Sequence, residues 1–83
     1  MNNEKKNLKE IGERLKMLRI KKGYTSYETF AIDNDLSRMQ YWRIEKGKTN
    51  ITMKSLINLL NIHEITVEDF FKIKINYRIL YKD

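Results

Sequence analysis

The chain has no cysteine and no proline, and only one histidine and three glycines among its 83 residues. Without cysteine there is no disulfide framework, no thiolate nucleophile and no cysteine-ligated zinc or iron–sulfur site, so the fold has to stand on packing alone. The single His63, with Glu64 beside it, supplies neither a zinc site nor a catalytic triad and reads as a surface loop residue. No glycine-rich phosphate cradle and no pair of carboxylates facing a clear cleft is present. An enzyme reading therefore fails for lack of parts, and no cofactor, metal or small-molecule ligand is implied. No apolar run approaches the roughly eighteen residues of a membrane span. Met1 to Lys9 is almost wholly polar, unlike a secretory leader, so a cytoplasmic protein with no membrane partner is expected.

What is present points to one small soluble domain. Hydrophobic residues make up 41% and charged residues 34% of the sequence, too apolar for disorder throughout. At this size folding hides only about 60 to 65% of the surface of the unfolded chain, which leaves little room for a deep cavity beside a packed core. The net charge of +6 suits a polyanion as partner, nucleic acid or an anionic lipid surface. It is concentrated at the ends. Residues 1–22 carry eight basic and three acidic groups, and residues 72–83 carry four and one. The stretch between them is mixed.

Because proline is absent and glycine rare, element boundaries are read from capping chemistry. Asn7 precedes Leu8, Ile11, Leu15 and Leu18, whose spacing lines one helix face; Gly23 supplies a left-handed stop, giving a first helix over about Leu8 to Lys22. Ser26, Ser37, Thr52 and Thr66 each offer a side-chain oxygen to the free N–H groups of a following helix. Ser37 with Gln40 forms a capping box, and Leu36 can staple onto Tyr41. Ile51 with Leu56, and Ile65 with Phe70, repeat the staple spacing. Between Ser26 and Ser37 there is room for one short helix and a connection of about three residues, the length of a helix-turn-helix. The helix that follows ends at Gly47 and opens into the polar loop Lys48-Thr49-Asn50.

After Phe71 the period changes to two: Ile73, Ile75, Tyr77, Ile79 and Tyr81 alternate with mostly polar residues, as in a strand. A lone strand cannot satisfy its own backbone, so the same segment of a second copy is the expected partner. Ile73, Ile75, Tyr77 and Ile79 are then dimerisation residues. A frayed tail or a terminal helical extension is the plainer alternative. The expected organisation is a disordered tail over 1–7, an all-α domain of five helices over 8–71, and an extension over 72–83.

The run from Ile11 to Phe71 resembles the lambda-repressor-like (Cro/C1-type, XRE) helix-turn-helix DNA-binding family. The likeness rests on RLKMLRIKKG, the Phe30-Ala31 pair, LSRMQYWRIEKGK and the SLINLL and EITVEDFF close. It implies that Arg38 to Lys46 is the recognition helix lying in the major groove of double-stranded DNA, and that Ser26 to Asp33 crosses the phosphate backbone. On that alignment Arg38, Met39, Gln40 and Arg43 meet base edges, with either arginine able to fork onto a guanine for about 1 to 3 kcal/mol of discrimination. Met39 is placed for a thymine methyl; Gln40 either caps its own helix or reads adenine. Ser26, Tyr27, Ser37, Lys46, Lys48 and Asn50 are the expected phosphate contacts, helped by the partial positive charge of helix N-termini. The resemblance also implies an ion pair between Arg19 and Glu45, although Arg19 alone could be an ordinary exposed arginine.

Two departures stand out. Asn34-Asp35 occupies the turn where the family often has an apolar residue and then glycine; asparagine tolerates the left-handed conformation, so a turn with a shifted position is expected. Trp42 replaces a small or polar residue and either covers the core edge or packs beside the sugar-phosphate chain. Tyr41, in staple position, reads as core rather than as a base-stacking ring. The basic residues from Lys5 through Lys22 read as a solvated face pointing away from a duplex. Together these features predict a homodimeric, sequence-specific transcriptional regulator, a repressor by preference, on an inverted repeat. The alternative is a protein-binding module such as an antitoxin that masks a toxin, with or without DNA binding.

Overall fold

A computed structural model describes residues 3–81. In chain order the helices are α1 (Asn3–Lys21), α2 (Tyr27–Asp33), α3 (Arg38–Glu45), α4 (Met53–Ile62), α5 (Val67–Lys72) and α6 (Tyr77–Leu80). The domain is all-α, and no strand occurs among the described residues.

Side-chain caps start α2 to α5 where hydroxyl residues stand. Ser26 Oγ accepts from the Glu28 and Thr29 N–H groups at 3.1 and 3.4 Å, Ser37 Oγ from Gln40 N–H at 3.3 Å, and Thr52 and Thr66 from Ser55 and Asp69 N–H, both at 3.1 Å. Each such cap is worth about 1 kcal/mol. α1 begins at Asn3, so residues 3–7 are helical where a disordered tail was expected. Lys and Glu are good helix formers, and Glu4 in the first turn suits the positive end of the helix dipole.

Helix ends follow one pattern with different residues. The left-handed position after α1 is Gly23 and after α3 is Gly47, but after α2 it is Asp35 (φ 56°) and after α4 it is Glu64 (φ 54°). In each, the next N–H reaches back over the last turn: Leu36 N–H to the Ala31 carbonyl at 2.8 Å, Lys48 to Arg43 at 2.9 Å, Ile65 to Leu60 at 3.1 Å and Tyr24 to Arg19 at 3.1 Å. This is the helix-terminating arrangement that satisfies orphan carbonyls. The turn between α2 and α3 therefore hinges on Asp35. Asn34 keeps φ at −109° and spends its side-chain amide on the Phe30 carbonyl at 2.9 Å.

Leu15, Phe30, Ala31, Tyr41, Leu56, Leu59, Leu60 and Phe70 form the core. Phe30 sits among rings: Tyr24 meets it edge-on with centroids 5.3 Å apart, Tyr41 at 5.0 Å, and His63 lies parallel to it at 5.3 Å. His63 is thus a half-buried core-edge residue and not the surface loop residue its surroundings in the chain suggested. Burial, reinforced by the nearby Lys22 charge, lowers its pKa to about 4.

The C-terminal extension also differs from expectation. Residues 73–76 are an extended link, and Asn76 then caps one helical turn, its Oδ1 accepting from Arg78 N–H at 3.0 Å. The segment folds back onto α1 of its own chain. Arg14 Nε donates to the Ile73 carbonyl at 3.0 Å, Lys16 Nζ to the Leu80 carbonyl at 2.8 Å, and Tyr81 OH to Glu13 Oε2 at 2.9 Å. The fully buried apolar residue is Leu80, 4% exposed, which lies on the other side of the alternation from Ile73, Ile75 and Ile79. The strand pattern is overruled because side chains of α1 supply the polar partners that a second strand would have provided.

Candidate nucleic-acid interface

α3 is fixed against α1 by two contacts of different kinds. Gly12, in the interior of α1, lets the backbones touch: a methyl group there would meet the carbonyl oxygens of Ile44 and Glu45, the former at 2.6 Å. Glycine in a helix interior costs about 1 kcal/mol relative to alanine, and that mismatch is the signal in the sequence that could have singled it out. About two turns further on, Arg19 reaches Glu45. Arg19 Nε donates to Oε2 at 2.7 Å and Nη2 to Oε1 at 3.1 Å, a forked pair, while Nη1 donates to the Tyr24 carbonyl at 2.9 Å.

Arg19 and Glu45 are 4% and 8% exposed. Burial works against the Arg19 charge, yet the hydrogen bonds and charge of Glu45 outweigh it and raise the guanidinium pKa. Burial, with Glu45 close by, pushes the Tyr41 hydroxyl far above its ordinary value, so it stays neutral. A desolvated pair of this sort adds little net stability compared with apolar packing but strongly penalises displacement of either partner. It serves here to set the position of α3.

With Tyr41 and Glu45 turned inward, the opposite face of α3 is free. Arg38, Met39, Gln40 and Arg43 are all exposed, as are Ser37, Lys46, Lys48 and Asn50; Met39 shows 60% of its surface. Ser26 and Tyr27, at the start of α2, are half-buried. Trp42 is half-buried too, and Lys48 Nζ stands 5.6 Å above its ring. A cation over an aromatic face contributes about 0.5 to 1 kcal/mol at such a site, which ties the loop after α3 to the helix. The structure thus leaves Arg38, Met39, Gln40 and Arg43 of α3 exposed, with Ser37 capping the start of the same helix and Lys46 and Lys48 following its end.

The four expected dimerisation residues are not gathered in this way. Ile73 and Ile75 are half-buried, while Tyr77 and Ile79 are exposed. Comparable apolar exposure lies on α4 and α5, at Met53, Ile57, Val67 and Phe71. Among the described residues there is no group of three or more metal-ligating side chains, and no helix is long and apolar enough to cross a membrane.

No family model matches the sequence, and no solved structure matches it. One curated relative does: the control protein C.MunI of Mycoplasma sp is 43% identical over 64 residues, 74% of this chain and 82% of the relative. The match at that identity and coverage agrees with the helix-turn-helix geometry of α2 and α3, and the chain belongs to the control-protein family that C.MunI represents.

Proposed function

We propose that the chain is a sequence-specific transcriptional regulator that binds double-stranded DNA through α3. The observation that carries this reading is the division of α3 into a locked inner face and a free outer one. Tyr41 and Glu45 are buried against the body, while Arg38, Met39, Gln40 and Arg43 are each exposed to solvent. An exposed helix face with two arginines and an amide side chain matches the donor and acceptor pattern of the major groove. The Ser26 and Ser37 helix starts offer N–H groups and positive dipole ends to the flanking phosphates.

The protein acts as a homodimer on an inverted repeat with half-sites about 34 Å apart, and represses by occupying it. The self-contact uses the apolar face of α5, Val67 and Phe71, with Ile57 of α4, which are exposed and lie outside the segment whose backbone carbonyls are bonded to α1.

Selection of bound sequences from a random duplex pool tests the reading: a symmetric pair of half-sites is expected. Replacing Arg38 or Arg43 by Ala should relax base preference at particular positions, whereas Lys48→Ala should weaken all sequences alike. Unchanged preference after replacing both arginines would show that α3 does not read bases. Binding that hardly responds to salt would favour a protein partner instead.

A further inference from the structure

Lysines from separate segments gather at the C-terminal end of α3. Lys46 and Lys48 follow the helix in the chain. Lys9 lies across Gly47, where an added Cβ would come within 2.8 Å of Lys9 Cα. Lys16 stands on α1 between Gly12 and Arg19, both of which touch Glu45, so it overlooks the same helix end.

The carboxylates near Lys16 act on its charge but hydrogen-bond to other side chains. Glu45 is forked onto Arg19, and Glu13 accepts from the Tyr81 hydroxyl. A helix C-terminus attracts cations, but the last carbonyls of α3 already accept from Gly47 and Lys48 N–H groups, and one lysine would complement its dipole. Lys16 is also held in place: its ammonium donates to the Leu80 carbonyl at 2.8 Å and lies 5.4 Å over the Tyr81 ring. That leaves further N–H donors on an ammonium whose direction is set by the C-terminal segment. Burial first, and then the nearby Lys46 charge, lower its pKa, against the opposing pull of Glu45 and Glu13.

We infer that Lys16 is a DNA-backbone contact: together with Lys46 it binds a phosphate beside the stretch read by α3, and residues 73–81 position it for that task. The inference rests on α3 being the DNA-reading element. It assigns a binding role to α1 and to an extension outside the helix-turn-helix.

The test is salt-dependent binding of the full chain to its selected operator, with Lys16→Gln and Lys16→Arg. Lys16→Gln should lower the log–log salt slope by about 0.9, the value for one phosphate, equally on specific and unrelated duplexes, and Lys16→Arg should restore it. A folded Lys16→Gln variant with an unchanged slope would overturn the inference and leave Lys16 as a fastener of the C-terminal segment. Should Lys16→Gln fail to fold, the wild-type chain is assayed on operators carrying single neutral methylphosphonates. A weakened complex is then expected at a phosphate flanking the α3 contact, and no sensitive flanking position would refute the assignment. Failure of the wild type to select any duplex would instead remove the DNA-binding reading itself.

Discussion

α1 holds two other elements, and it holds them differently. Against α3 it offers bare backbone at Gly12 and a desolvated, forked ion pair through Arg19. Against the segment 73–81 it offers long side chains, Arg14 and Lys16, that reach carbonyls, together with a site that buries Leu80. Backbone contact and a buried charge pair have little slack, because a small shift produces a clash or strands a charge. Long side chains can follow a moving partner. The element proposed to read bases is therefore the one held stiffly, and the peripheral extension is held compliantly.

The contrast is sharpest at Arg19. Arg19→Ala leaves Glu45 buried without its partner and should cost about 3 to 5 kcal/mol, read as a lowered denaturation midpoint in urea. A loss below about 1 kcal/mol, the range of surface pairs, would show that the pair is no stiffer than the contacts to the extension. Gly12→Ala comes next. It gains about 1 kcal/mol of helix propensity but forces the carbonyls of Ile44 and Glu45 away, for a net loss of about 2 to 3 kcal/mol. The same variant should blur base preference, since α3 must move.

Leu80→Ala probes the compliant side. It should cost about 2 kcal/mol, the low end for a buried leucine, because the short α6 can settle into the space. Amide chemical shifts of α6 and of the facing turns of α1 should change while those of Arg38 to Arg43 stay fixed. Shifts that spread through α3 would mean that the two attachments of α1 are coupled and the division drawn above is false.

These differences also explain which features could be read from the residues. The caps of α2 to α5 are local chemistry: Ser26, Ser37, Thr52 and Thr66 bond N–H groups two or three positions ahead, and their meaning survives in any tertiary setting. The outward face of α3 follows from its period once Tyr41 and Glu45 are assigned inward. The C-terminal segment was misread because its alternation of isoleucines and tyrosines with polar residues is a real strand pattern, and only the presence of Arg14, Lys16 and Glu13 on a distant stretch of chain decides against it. Asp35 and Glu64 were missed as helix terminators for a related reason. The left-handed conformation is unfavourable for them locally, and the packed helices on either side impose it. Gly12 is hinted at by the cost of a glycine inside a helix, and the backbone of α3 lying against it supplies the reason.

His63 gives the smallest effect and the most specific one. Stacked on Phe30 and partly withdrawn from water, it binds a proton only near pH 4 in the folded chain, against 6.5 for an unperturbed histidine. Between those values the unfolded chain carries a proton that the folded chain refuses, so the stability contributed by neutral His63 is complete above pH 6.5 and declines as the pH falls toward 4. Part of the ring remains in water, which limits the loss to about 1 kcal/mol, well below what the full shift would give. His63→Phe keeps an aromatic ring over Phe30 and removes the proton site. The melting-temperature difference between variant and wild type should therefore be constant above pH 6.5 and widen in favour of the variant on acidification to pH 4. A difference that stays constant through that interval would mean that the His63 ring titrates as freely as one on the surface, and that the aromatic cluster around Phe30 is open to water at its α4 end.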